Sequence, residues 1–166
     1  MRAILLAGLL TVCSSAAALA AAPAISTVSV AIGPELQAKA ETYGQRDLDT
    51  LAADLKRTVE RAIANGDQVG PSGGELRLVL ADAKPNRPTF AQLGHTPGLS
   101  MESFGVGGAL IEGELVKADG TTEPVRYSWF ETDIRQAHHQ STWGDADLTF
   151  EQFADRLAHG QIYERR

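Results

Sequence analysis

The fold is decided by the stretch from Ser103 to Asp133, SFGVGGALIEGELVKADGTTEPVRYSWFETD, in which two runs of alternating apolar residues flank Asp119-Gly120. A period of two places successive side chains on opposite faces of a strand. The Asp-Gly pair readily adopts the positive φ values that a tight hairpin turn requires. The stretch therefore predicts a β-hairpin with one apolar face, which the rest of the chain must cover.

The apolar phase of the first run slips at Gly107-Gly108, because the parity before this pair differs from the parity after it. One extra residue would restore the register, so we expect a β-bulge at these glycines. The alternative is that they let a ligand approach the backbone. Their spacing does not match a dinucleotide-binding fingerprint, and a strand follows them instead of a helix.

Two further strands and an amphipathic helix precede the hairpin. Alternating apolar residues predict strands at Ile25–Ile32 and Leu76–Leu80. Between them, Asp47–Asn65 carries large apolar residues at spacings of three and four, which is the period of one buried helix face. We expect this helix to cover the apolar face of the sheet.

A second helix is predicted near the end of the chain. Thr149 and Gln152 have the spacing of a capping box, which predicts the N-terminus of a helix that ends near Gly160. The order of elements is then β-α-β-β-β-α. The simplest layered arrangement is an α+β fold, in which a four-stranded antiparallel sheet carries both helices on one face.

The start of the chain has the pattern of a secretory signal peptide. Arg2 precedes an uncharged run that is rich in Leu and Ala, with small residues near position 20. We therefore predict a signal peptide at residues 1–20, a single α+β domain at 21–166, and a periplasmic or secreted location. The apolar segment is too short for a membrane span. A lipid anchor at Cys13 is disfavoured because Val12, which is not a small residue, precedes it.

The charge of the chain argues against nucleic-acid binding. The 166 residues include 15 Lys and Arg against 21 Asp and Glu, a formal net charge of −6. Phosphate contacts need clustered basic residues, and no such cluster occurs in the sequence. No motif predicts a cofactor, and the pattern does not fix an oligomeric state.

The best candidate for a binding site is the 81–102 loop, which prolines and glycines interrupt. Long ordered loops are usually functional, and Thr89 with Gln92 predicts a helical turn inside this one. Ligand or partner contacts are predicted for Asn86, Arg87, Gln92 and His95, and for Phe130 on the outer sheet face. The leading hypothesis is an exported binding or adaptor module of the cell envelope. An envelope protein would bind through the 81–102 loop or the outer sheet face.

An alternative hypothesis rests on Asp133, His138 and His139, which lie in the polar segment before the last helix. These residue types would suit a small periplasmic hydrolase or a metal-binding enzyme. Adjacent histidines usually point in different directions, and neither a zinc-binding spacing nor a nucleophile motif accompanies them. The sequence therefore assigns no catalytic residue and leaves this metal site as the weaker interpretation.

Overall fold

A computed structural model describes residues 24–65 and 73–161. The predicted signal peptide at 1–20, together with Cys13, lies outside the described residues. The strands are β1 (Ile25–Ile32), β2 (Gly74–Lys84), β3 (Gly108–Val116) and β4 (Thr122–Phe130). The helices are α1 (Pro34–Gln37), α2 (Ala40–Tyr43), α3 (Gln45–Asn65), α4 (Phe90–His95) and α5 (Gly144–Ala158).

The four strands form one sheet in the order β1-β2-β3-β4. The α+β class is confirmed, but the sheet is mixed, because β1 pairs with β2 in parallel and only the other two pairs are antiparallel. The prediction of a fully antiparallel sheet was wrong for this first pair. The reason is the 21-residue helix α3 between β1 and β2, since a helical crossover lets the second strand run in the same direction as the first.

The predicted hairpin is formed by β3 and β4, with Ile111 opposite Tyr127. Its turn is longer than expected. The Lys117 amide donates to the Thr121 carbonyl at 2.8 Å, so the residues 117–121 form the connection. Gly120 adopts a φ of 83°, as the Asp-Gly pair predicted. The Lys117–Thr121 hydrogen bond closes a loop of three residues, 118–120, in place of a two-residue turn.

The prediction of a β-bulge at Gly107-Gly108 was wrong, because the register shifts of the described strands lie at Ser26 on β1 and at Ala81 on β2. The register between β2 and β3 shifts at Ala81, whereas β3 and β4 pair without a shift from Gly108 onward. Consecutive inward-facing residues of β2 are consequently three apart at this point, at Leu80 and Ala83, and both are fully buried. Gly107 precedes β3 and belongs to the loop, so the change of parity in the sequence marks the start of the strand.

The hydrophobic core lies between the sheet and the two long helices, which pack against each other on the same face. Fully buried side chains come from α3, α5 and the central strands, and they include Leu48, Leu51, Leu55, Val59, Phe150, Phe153, Leu76, Leu80, Ile111 and Leu115. Each buried side chain of this size contributes ~1.5–3 kcal/mol. Exposed ion pairs contribute ~0–1 kcal/mol each, so apolar burial dominates the stability.

The last helix begins earlier than the capping box predicted. Helix α5 starts at Gly144, and Thr149 is buried inside it. The Thr149 hydroxyl donates to the Asp145 carbonyl at 2.7 Å, whereas the hydroxyl of a capping box would accept a bond from a backbone amide. By contrast, the Thr89–Gln92 capping box is confirmed at the start of α4. In the described ranges 24–65 and 73–161, no helix has the length and apolar character needed to cross a bilayer.

Candidate functional site

Two long connections meet at one end of the sheet. The first loop, residues 85–107, joins β2 to β3, and the second loop, residues 131–143, joins β4 to α5. The main-chain amide of Asn86 donates to the Thr142 carbonyl at 2.7 Å, and Arg87 Nε donates to the His139 carbonyl. These bonds cross from one loop to the other. We call the surface that the two loops form together the loop platform.

A pair of buried polar residues fixes the loop platform to the core. Asn86 and Asp145 are 1% and 0% exposed. Asn86 Nδ2 donates to Asp145 Oδ2 at 2.5 Å and to the Gly105 carbonyl at 3.0 Å. The Asp145 amide donates back to Asn86 Oδ1 at 2.8 Å. The Asn86 side chain therefore bonds both the side chain and the main-chain amide of Asp145. We call this pair of residues the polar node.

Further donors complete the hydrogen bonding of the Asp145 carboxylate. The Gly107 amide donates to Oδ2 at 2.8 Å, and the His138 amide donates to Oδ1 at 2.8 Å. His138 Nδ1 lies 3.0 Å from the same Oδ1. Burial alone would raise the pKa of Asp145, but the hydrogen bonds, led by the one from Asn86, lower that pKa below its ordinary value. One charged carboxylate thus joins both loops to the start of α5.

A second carboxylate in the first turn of α5 has the opposite electrostatics. Burial, together with the smaller effect of the nearby carboxylates of Asp54 and Glu151, raises the pKa of Asp147 to about 6. Few hydrogen bonds offset the loss of solvation here, in contrast to Asp145. Near neutral pH, Asp147 therefore adds a negative charge beside two other carboxylates at the contact between α3 and α5.

The loop platform carries the large apolar side chains that are exposed to solvent. In the part of the chain that the structure describes, these are Phe90, Met101, Phe104 and Ile134, which are 81%, 57%, 48% and 50% exposed. The Phe104 ring stacks on the His139 ring of the other loop, with the ring centroids 4.3 Å apart. Scattered exposed apolar residues are ordinary. All four of these, however, lie on the two loops of the platform, which favours an interaction site.

A small pocket opens on the loop platform, with a volume of about 170 Å³. Apolar walls and a few polar groups line it, namely Pro85, Pro88, Leu99, Phe104 and Gly105 together with Asn86, Arg87, Gln92 and Ser103. Sites for drug-sized ligands occupy roughly 300–1,000 Å³. The pocket is therefore of a size for one side chain or a similarly small group.

The predicted contact residues divide between this pocket and other places. Arg87 and Gln92 line the pocket, and Asn86 reaches it from its buried position in the polar node. His95 is exposed and lines a separate concavity beside α2. Phe130 is half-buried at the end of β4. The structure thus brings three of the five residues together, and the buried Asn86 serves as support for the surface.

The residues of the weaker metal hypothesis have separate partners. Asp133 forms an ion pair with Arg135 at 2.5 Å, which lowers the pKa of Asp133. His138 Nδ1 faces the buried Asp145, and His139 stacks on the aromatic ring of the first loop. Within residues 24–65 and 73–161, no group of three or more His, Cys, Asp or Glu side chains is arranged to hold a metal ion.

Sequence reasoning missed Asp145, Met101 and Phe104 as members of the site. Asp145 lies 59 residues from Asn86 in the chain, so no local spacing connects the two. Phe104 was assigned to the hairpin because of its alternation with Val106. The available signal was the combination of large apolar residues with glycines and prolines in one long connection, which is unusual for a solvated loop.

Comparison of the chain with known protein families gives no matching family, and comparison with curated proteins gives no match. The geometry and chemistry of the loop platform are therefore the basis for assigning a function.

Proposed function

We propose that the chain is an exported binding or adaptor module of the cell envelope, and that it contacts its protein partner through the loop platform. One observation carries this proposal: two long loops that are fixed by a buried polar node expose four large apolar side chains. Export is supported by the leader pattern of residues 1–20 in the sequence. The acidic net charge and the lack of clustered basic residues favour a protein partner over a nucleic acid.

The physical reason for this proposal is preorganisation. Binding costs less free energy when the contacting loops are already ordered, because less conformational freedom is lost on association. The polar node orders the first loop at Asn86, Gly105 and Gly107, and Gly105 directly follows the exposed Phe104. Exposed aromatic and Met side chains on an ordered surface are the residue types that carry binding energy at interfaces.

The test is capture of a partner followed by a matched pair of variants. The chain without its leader would be immobilised and incubated with an envelope extract, and the retained protein would be purified and titrated. Phe104→Glu places a charge at the centre of the platform, and we expect affinity to fall at least tenfold. Thr122→Glu places the same charge on an exposed residue at the other end of β4, and we expect no change. Equal affinities for the two variants would contradict the proposal.

A second candidate function is a small periplasmic hydrolase or metal-binding enzyme, and one observation favours it. His138 Nδ1 faces the fully buried carboxylate of Asp145 at 3.0 Å, while half of the His138 side chain is exposed. A buried carboxylate orients the imidazole in the same way in the Ser-His-Asp triad, where it leaves Nε2 available as a base. No hydroxyl of the described residues is hydrogen-bonded to this histidine.

The enzyme candidate is tested with generic ester substrates and with zinc. Hydrolysis that His138→Gln abolishes, while a His139→Gln control retains it, would favour the enzyme over the binding module. Zinc binding measured by calorimetry would separate the metal-binding version, and it too should depend on His138. Absence of both activities would remove this candidate and leave the proposed partner-binding function unaffected.

A further inference from the structure

The positive charge of Arg87 has no carboxylate partner among residues 24–65 and 73–161. Its Nε and Nη1 donate to the main-chain carbonyls of His139 and Met101. No ion pair of the described residues includes Arg87, although the other loop contains the paired Asp133 and Arg135. Carbonyl oxygens satisfy donors without neutralising a charge. No ion pair of the described residues therefore compensates this guanidinium, and its Nη2 makes no hydrogen bond in the described part of the chain.

Arg87 is one of the residues that line the small pocket of the loop platform, in which polar and apolar groups alternate. Pro85, Pro88, Leu99 and Phe104 contribute walls to the same pocket of about 170 Å³. A partly desolvated cation is costly unless an anion approaches it, and Arg binds carboxylates with two parallel hydrogen bonds. The pocket thus offers attraction for a carboxylate and burial for an apolar group within one small volume.

The small volume restricts where these two groups can come from. A carboxylate on one residue and an apolar side chain on its neighbour would point to different sides of an extended peptide. Residues two apart share a side but lie roughly 7 Å from each other. An apolar residue that ends a chain carries both groups itself, which suits the small volume best. We propose that the pocket binds the C-terminal residue of the partner, with its apolar side chain between the pocket walls and its α-carboxylate on Arg87. This inference rests on the proposed partner-binding function and specifies its chemistry.

The inference is tested with short peptides, monitored by NMR titration of the leaderless chain at millimolar concentrations. The probe is N-acetyl-Ala-Ala-Leu with a free carboxylate. The first comparison peptide is the same sequence with a C-terminal amide, which lacks only the charge. The second is N-acetyl-Ala-Asp-Leu-amide, which supplies a carboxylate from the neighbouring side chain instead. We expect the free acid to shift the Phe104 and Gly105 signals and to bind at least tenfold more tightly than either amide. Equal binding of acid and amide, or no binding of any peptide, would overturn the inference.

A variant of the protein locates the binding. Leu99→Glu places a carboxylate in the same pocket as Arg87, so it should abolish binding of the free acid. Thr122→Glu adds the same charge far from the platform and should leave binding unchanged. Unchanged peptide binding in Leu99→Glu would overturn the inference. The two proposals fail separately: a captured partner that depends on Phe104 but does not compete with the peptide would overturn only the C-terminal inference. Peptide binding without any platform-dependent partner would overturn the adaptor function.

Discussion

Replacement of Asn86 by Ala should destabilise the protein strongly, although the residue lies in a loop. The change removes three hydrogen bonds of the polar node, two shared with Asp145 and one with the Gly105 carbonyl. A buried polar group that loses its partner costs ~1–3 kcal/mol, and removal of one partner from a buried charge costs ~3–5 kcal/mol. Because the three bonds share atoms and are not additive, we expect the free energy of unfolding to fall by ~3–4 kcal/mol.

Urea unfolding measures this loss. For an m-value of ~1.5 kcal/mol/M, the midpoint of Asn86→Ala should fall by ~2 M. Gln140→Ala is the control, since it truncates an exposed amide side chain of the second loop and should change stability by less than ~0.5 kcal/mol. Asp145→Asn should cost less in the Asn86→Ala background than alone, by ~1 kcal/mol or more, because the two side chains interact. A loss below ~1 kcal/mol for Asn86→Ala would refute the role of the polar node.

Two other predictions concern the same end of the molecule. Gly107→Ala should destabilise the protein by ~1–3 kcal/mol, because the added Cβ would lie 2.7 Å from oxygen atoms of Asn86 and Lys84. Gly105→Ala is the control, since its added Cβ meets no atom within 4 Å and should be close to neutral. Equal thermal midpoints for the two variants would argue against this packing. The pKa of Asp147 in the folded state is about 6, above its ordinary 3.8. Folding therefore favours the protonated carboxyl, so the charged carboxylate destabilises the fold above pH 6. This destabilisation is lost as the pH falls from above 6 toward 4. Asp147→Asn should remove this pH dependence and, at pH ~7.5, stabilise the protein by ~1–2 kcal/mol after allowance for solvent screening; an unchanged slope of urea midpoint against pH would contradict the assignment.

Periodicity predicted the parts of the fold that are formed by local patterns. The strand Ile25–Ile32 and the hairpin follow from alternation, and the long helix follows from a stripe of apolar residues that must be buried. The capping box of α4 was predictable because its two members lie three residues apart. In each case the residues that determine the structure are close in sequence, so their spacing carries the information.

The misassigned features depend on contacts between distant residues. The direction of β2 relative to β1 is set by how the α3 crossover packs, and an alternating strand pattern contains no sign of direction. Helix α5 starts at Gly144 because Asp145 is held by both loops, and this outweighs the local capping signal at Thr149. For the candidate site, the sequence singled out the 81–102 loop and Arg87, whereas the polar node and the exposed aromatic surface required the tertiary structure.

The most direct test of the account is the hydrogen-exchange footprint of a captured partner on the chain. We predict that the partner slows amide exchange within 85–107 and 131–143, and most strongly around Met101 and Phe104. A groove between α3 and α5, lined by Arg61 and Asp155, and the outer sheet face around Arg77 should exchange at the same rate with and without the partner. Protection on the outer sheet face or in that groove, with the loop platform unchanged, would contradict the central claim.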